Sequence, residues 1–181
     1  MKRRTARAGL ALFSLAAALV CGAAGAGEEP GMLATTPSGE VSLGNAPVQI
    51  EIPLTADARK RIEELADQTG GHLRLAIDGI KLLHPGAAFE IYLNLPEGQR
   101  PPLESPYRVG NLSLFSEPGG TNGLTRTFDI LDKVRALRHH GKWDGRLVLT
   151  IFREDLSGKR LGGPGKEDAF LRFSRVYLTA S

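Results

Sequence analysis

The segment FEIYLNLPEG, residues 89–98, alternates apolar and polar side chains as far as Leu95. The apolar set, which we expect to face the core, is Phe89, Ile91, Leu93 and Leu95. The other set, which we expect to form the polar face, is Glu90, Tyr92 and Asn94. A period of two predicts a half-buried β-strand, and the following Pro-Glu-Gly ends it.

Six further segments show strand patterns of the same kind, with turn residues between them. They are VQIEIPL (48–54), HLRLAID (72–78), YRVGNLSLF (107–115), TRTFDI (125–130), RLVLTIF (146–152) and AFLRFSRVYL (169–178). RLVLTIF is apolar enough to be a central strand, and we expect its Leu149 and Ile151 to meet the apolar side chains of FEIYLNLPEG. In the last segment the apolar phase changes between Phe173 and Val176, which predicts a β-bulge.

Two segments have helical patterns instead. Thr55 can cap a helix over ADARKRIEELADQ (56–68), and Asp129 can cap another over ILDKVRALRHH (130–140). The sequence therefore predicts a mainly β fold, an antiparallel β-sandwich of about seven strands with one or two short helices.

The first residues have the organisation of a secretory signal peptide. A basic start, MKRRTARAG, precedes the apolar segment LALFSLAAALVCGAAGA, and Ala24-Gly25-Ala26 fits a cleavage site. An uncleaved anchor is the alternative, and Arg3-Arg4 leaves Sec and twin-arginine export both open. We expect a signal peptide over residues 1–26, a flexible lead-in over 27–46 and one domain over 47–181. The mature protein would then be periplasmic or secreted, with no stable membrane insertion.

Cleavage would change the charge of the chain. The leader holds four of the 23 basic residues and none of the 20 acidic ones, so 19 basic and 20 acidic residues remain, a net charge of −1. A nearly neutral domain has no electrostatic reason to bind nucleic acid. The only cysteine, Cys21, also leaves with the leader, so no thiolate is left for catalysis or zinc binding.

Catalytic patterns are weak. The four histidines, His72, His84, His139 and His140, do not have the spacing of a zinc or copper site, and no nucleophile elbow or phosphate-binding loop motif occurs. His139 and His140 fit the last turn of a helix, where a cation is favoured by the helix dipole. We expect no catalytic residues, no bound metal and no cofactor.

Several segments together show a family resemblance. PVQIEIPL, LRLAIDGIKLLHPGAAFEIYLNLPEG, SPYRVGNLSLFSEPGG, TFDILDKVRALRHHGKWDGRLVLTIF and RFSRVYL occur in this order. The set resembles the accessory domain that follows the catalytic domain in bacterial tyrosinase-like (polyphenol oxidase) proteins. It also resembles, more loosely, the β-rich C-terminal domain of plant polyphenol oxidases. The six copper-binding histidines of that family's catalytic domain have no counterpart here.

The resemblance implies an exported, non-catalytic accessory module that shields, matures or regulates a di-copper tyrosinase-like oxidase in trans. The alternative is a generic extracytoplasmic module that binds proteins or glycans. In the family, a side chain of this domain can occupy the substrate position of the oxidase. Tyr107 is the first candidate for such a contact, since it follows the proline-rich PPLESP at a strand start. Tyr92 and His84 are the other candidates for partner contact.

Overall fold

The structure is a computed structural model, and it describes residues 31–83, 88–96, 105–113, 123–154 and 169–181. The predicted signal peptide and His84 lie outside the described residues. The strands in chain order are β1 (Met32–Thr35), β2 (Val41–Leu43), β3 (Val48–Ile52), β4 (Leu73–Leu82), β5 (Ala88–Leu93), β6 (Arg108–Ser113), β7 (Leu124–Asp129), β8 (Leu147–Glu154), β9 (Leu171–Phe173) and β10 (Arg175–Ala180). The helices are α1 (Ala56–Asp67) and α2 (Leu131–His139).

These strands form two antiparallel sheets. The six-stranded sheet has the order β1-β10-β4-β9-β2, with β7 paired to the other edge of β4. The four-stranded sheet has the order β3-β8-β5-β6, so the apolar β8 lies in its middle, as the sequence predicts. The mainly β, antiparallel fold with two short helices is confirmed.

The core lies between the two sheets and contains apolar side chains from both. On the four-stranded sheet, Phe89, Ile91 and Leu93 are at most 1% exposed, and Leu149 and Ile151 of β8 join them in the same cluster. The predicted direction of these five side chains is confirmed. The six-stranded sheet contributes its own alternate residues: Leu73, Leu75, Ile77, Val176 and Leu178.

The two helices close one part of this core through their apolar faces. Thr55 caps α1 as predicted, since its Oγ1 accepts a hydrogen bond from the backbone N–H of Ala58 at 3.1 Å. In α2 the carboxylate of Asp129 accepts a bond from the N–H of Leu131 at 3.1 Å, one residue before the cap position. Ile62 of α1 and Val134 of α2 are fully buried. The predicted cap of α1 is therefore confirmed, whereas the predicted cap of α2 at Asp129 is wrong, since the N-cap of α2 is Ile130 and has no side-chain cap hydrogen bond.

The flexible lead-in predicted for residues 27–46 does not hold for its described part. β1 pairs with β10, β2 pairs with β9, and Ala34 and Leu43 belong to the core cluster. Both strands are short and lie in a polar segment, so only their pairing with distant residues makes them strands. The last predicted strand is also divided into β9 and β10 by a break at Ser174, where a bulge is predicted. With β1 and β2, the described residues therefore form ten strands, where seven are predicted.

No helix within the described ranges is long and apolar enough to span a membrane.

Candidate functional site

The second face of β5 is the least expected feature of the sandwich. Glu90 and Tyr92 point away from the core between the sheets, yet both are 0% exposed. They lie on the outer face of the four-stranded sheet, where Tyr92, Leu95 and Phe152 form a separate apolar cluster. β5 is therefore buried on both faces, and a charged residue lies within the buried outer face.

The carboxylate of Glu90 lies between a phenol and a guanidinium. The hydroxyl of Tyr92 donates a hydrogen bond to Oε2 of Glu90 at 3.0 Å, and Nε of Arg108 lies 3.7 Å from Oε1. Arg108 and Glu90 therefore form an ion pair, but their atoms are too far apart for a hydrogen bond. The Arg108 side chain is also held by Asn111, whose Oδ1 accepts a bond at 2.8 Å. We call Glu90, Tyr92 and Arg108 the Glu90 cluster; the half-buried Arg108 compensates the charge of the fully buried Glu90.

A change of register brings Arg108 into this cluster. Ile91 is opposite Gly110, but the next residue of β5, Tyr92, is opposite Arg108, so β6 has one extra residue at this point. A bulge of this kind redirects the side chains that follow it. The irregularity lies next to Gly110, and glycine within a strand often marks a bulge.

Tyr107, the first predicted contact residue, is half-buried at the start of β6. Ser105 fixes its backbone: its Oγ accepts a bond from the N–H of Tyr107 at 3.2 Å, and its carbonyl accepts one from Arg108 at 3.0 Å. The carbonyl of Tyr107 accepts a bond from the N–H of Leu93 at 2.8 Å. Its side chain packs against both the core and the outer cluster.

The structure thus brings two of the predicted contact residues together. Tyr107 and Tyr92 belong to one outer cluster with Phe152, whose ring meets that of Tyr92 edge to face at 5.6 Å between centroids. The exposed polar face expected for Tyr92 is wrong, because the residue is fully buried. The side chain of Tyr92 is therefore packed inside the outer cluster. Tyr107 is only half-buried, so it is the more accessible tyrosine of the two.

Sequence reasoning missed Glu90 and Arg108 as members of this site. Period-two alternation places Glu90 and Tyr92 on the same face, which was a usable signal that they could bond to each other. No pattern in the sequence indicates that Arg108 lies beside Glu90, since its position depends on the register between β5 and β6.

The described histidines take separate positions. Nδ1 of His72 lies 2.5 Å from the carboxylate of Asp129, while the rings of His139 and His140 meet edge to face at 5.3 Å at the end of α2. Burial alone would raise the pKa of Asp129, but the bonds from His72 and the Leu131 N–H hold that pKa below its usual value. Within the described residues, no group of three or more His, Cys, Asp or Glu side chains is placed to bind a metal ion.

Polyphenol oxidases are among the solved structures with a similar fold. A recombinantly expressed latent aurone synthase aligns with a TM-score of 0.50 and 18% identity over 78% of this chain and 25% of its own. A second structure of that enzyme gives a TM-score of 0.49 with 16% identity over 77% of this chain and 26% of its own. Latent apple tyrosinase gives 0.46 with 12% identity over 78% and 27%, respectively. The chain spans about a quarter of the length of these proteins.

No curated protein matches the chain in sequence. A family model described as a domain of unknown function, DUF7868, matches residues 31–157. That match begins one residue before β1 and runs past the end of β8, so it includes most of both sheets. The chain belongs to the DUF7868 family.

Proposed function

We propose that this chain is an exported, non-catalytic accessory domain that shields, matures or regulates a tyrosinase-like type-3 copper oxidase in trans. The observation that supports it most is the similarity of the sandwich to a quarter-length part of a latent polyphenol oxidase. At 18% identity this similarity concerns the fold, and the role is our inference from it.

The sequence supports the non-catalytic part of this proposal. A type-3 copper centre in the family that the chain resembles uses six histidines, and the whole chain contains four. The oxidase active site would therefore belong to the partner. This domain would contribute a surface that covers the entrance of the copper site.

Tyr107 is the side chain that we propose for the contact. Its backbone is fixed by three hydrogen bonds, to Ser105 Oγ, from Leu93 and through the turn closed by Arg108, so little conformational entropy would be lost when its phenol binds a partner. The residue is half-buried, so part of it is accessible to a partner. A phenol is also the group that a phenol oxidase must bind.

The test is an activity assay with a co-encoded type-3 copper oxidase that lacks a domain of this kind. We expect the purified mature protein to form a complex with the oxidase and to change its rate of phenol oxidation or its copper content. Tyr107→Ala should lose the effect, and Tyr107→Phe should separate the role of the ring from that of the hydroxyl. The matched control is Tyr177→Ala, a half-buried strand tyrosine on the other sheet.

Two outcomes would contradict the proposal. One is the absence of any complex at tens of micromolar, which corresponds to a binding free energy weaker than about 6 kcal/mol. The other is an equal loss of effect in Tyr107→Ala and Tyr177→Ala, which would assign the effect to stability instead of a contact.

The proposal includes export. Cleavage after Ala26 would give a mature protein that begins at Gly27, outside the cytoplasm. Mass spectrometry of the extracytoplasmic fraction should show this start, and an intact leader on the recovered protein would contradict it.

A further inference from the structure

The outer face of the six-stranded sheet carries charged side chains and one aromatic ring. Alternate residues of β4 and β10 enter the core, so the residues between them point to the opposite side of the sheet. We call this side the basic face; the residues that matter here are Arg74, Asp78, Lys81, Arg172, Arg175 and Tyr177.

Two cations of the basic face are directly opposite each other. Lys81 of β4 is the register partner of Arg172 of β9. Like charges in this position destabilise a sheet. Glu40 partly compensates, since its Oε1 lies 3.0 Å from Nη1 of Arg172, but Lys81 has no ion-pair partner in the described part of the chain. An anion bound between the two cations would relieve this repulsion.

Arg74 adds a cation at the other end of β4, where its register partner on β7 is Asp129. It is exposed, and no ion pair joins it to another described residue. Arg74 and Lys81 are seven residues apart on one strand, which at about 3.3 Å per residue separates them by roughly 20 Å. A ligand that reaches both must be elongated and must carry repeated negative charges.

The centre of the basic face is rigid and contains an aromatic ring. Asp78 accepts a bond from Thr125 Oγ1 at 2.6 Å and one from Arg175 Nε at 2.9 Å. The guanidinium of Arg175 lies 5.0 Å from the centre of the Tyr177 ring. The register neighbours of Tyr177 are Thr35 and Ala76, both small, so no bulky side chain adjoins the ring across the strands. A half-buried ring beside charged hydrogen-bonding groups suits stacking against a sugar ring.

We propose that the basic face binds an anionic polysaccharide, with Arg74, Lys81 and Arg172 contacting its acidic groups and Tyr177 stacking on a sugar ring. A protein partner fits less well, because stable protein interfaces have an apolar centre. The exposed large apolar residues of the described chain are Leu83 and Leu124, and neither lies in the middle of this face. This proposal is independent of any effect on an oxidase.

The test uses a galacturonate oligomer long enough to span the sheet, with a neutral glucose oligomer of the same length as the comparison. Isothermal titration should detect binding of the galacturonate oligomer alone, and high salt should weaken it. The double variant Arg74→Gln/Lys81→Gln should weaken binding about tenfold, since two surface charge contacts are removed. Tyr177→Ser should also weaken it, and Tyr177→Phe should leave it unchanged because the ring is retained.

The matched control removes the same amount of charge elsewhere. Lys60→Gln/Lys142→Gln changes two exposed lysines that lie outside the basic face, and binding should stay within about twofold of the wild type. An equal loss in the two double variants would overturn the proposal, since binding would then reflect net charge alone. The absence of any affinity for the galacturonate oligomer would overturn it as well, and an Arg74- and Lys81-dependent complex with an acidic protein would then assign the face to a protein partner.

Discussion

The hydroxyl of Tyr92 donates a hydrogen bond to Oε2 of Glu90 at 3.0 Å, and neither side chain is exposed to solvent. A buried carboxylate is costly unless its oxygens are hydrogen-bonded and its charge is compensated. Tyr92 supplies a hydrogen bond, and Arg108 supplies the opposite charge. The outer face of the four-stranded sheet thus depends on contacts between β5 and β6.

Removing the hydroxyl of Tyr92 tests that dependence. We expect Tyr92→Phe to lower the free energy of unfolding by about 1–3 kcal/mol, because Glu90 would lose a donor while remaining buried. Chemical denaturation measures the change. Tyr177→Phe is the control, because Tyr177 is only half-buried, and the change should cost less than about 0.5 kcal/mol. Equal effects in the two variants would show that the Tyr92–Glu90 bond adds no stability.

The opposite face of β5 makes a separate prediction. Ile91 is 0% exposed and is the register partner of Ile151 on β8. Ile91→Ala should lower the free energy of unfolding by about 2–5 kcal/mol, because it removes buried apolar volume and leaves a cavity. The control is Gln49→Ala, an exposed substitution on β3 that should cost less than about 0.5 kcal/mol. An unchanged unfolding midpoint in Ile91→Ala would mean that this strand face is not in the core.

The alternation in FEIYLNLPEG was sufficient to identify β5 and to assign its core face. It could not show that Glu90 and Tyr92 are buried too, because a period of two separates two faces without showing what packs on either. The same limit applies to Arg108, whose position depends on a bulge in β6. Local sequence reports the strand, and the register between distant strands decides which polar side chains meet.

The short strands at the beginning of the domain show a related limit. β1 and β2 have four and three residues, too few for an alternating pattern to differ from a polar linker. They are strands because β9 and β10 supply partners more than a hundred residues away in sequence. The interruption at Ser174 was predictable because the apolar phase changes within one segment, but the pairing with β4 keeps one register across it, so no residue is inserted there.

Gly79, in the middle of β4, should not tolerate a side chain. Its φ is +70°, and a β-carbon there would lie 1.7 Å from Oγ of Ser174. Gly79→Ala should lower the free energy of unfolding by about 1–2 kcal/mol for the left-handed backbone alone, and displacing Ser174 adds to the loss. Gly39→Ala is the control, because a β-carbon at Gly39 would meet no atom within 4 Å. A Gly79→Ala protein as stable as Gly39→Ala would contradict this backbone conformation.

Asp78 links β4 to β7 and β10, and its charge should make the fold sensitive to acid. The hydrogen bond from Thr125 and those from Arg175 and Gly79 outweigh the effect of burial and hold the pKa of Asp78 below its ordinary value of 3.8. A carboxylate whose pKa is lowered by folding stabilises the protein above the unfolded pKa. That contribution is lost as the pH falls through the lower, folded pKa.

The prediction is therefore a pH-dependent difference between the wild type and Asp78→Asn. At pH 7 the variant should be less stable by about 1 kcal/mol, the upper range for an ion pair near the surface. Below pH 3.8 the difference in stability between the two proteins should shrink towards zero. The wild-type carboxylate then becomes protonated and is uncharged, like the amide of the variant. Urea denaturation across this pH range measures both curves.

Thr125→Ala gives an independent check on the cause of this pH dependence. It removes the hydrogen bond that lowers the pKa of Asp78 most, so the acid-induced loss of stability should be smaller than in the wild type and should be complete at a higher pH. If the wild type, Asp78→Asn and Thr125→Ala lost stability in parallel as the pH fell, Asp78 would not be a source of the acid sensitivity. The remaining carboxylates with a lowered pKa, Asp129 and Asp144, would then be the next to replace.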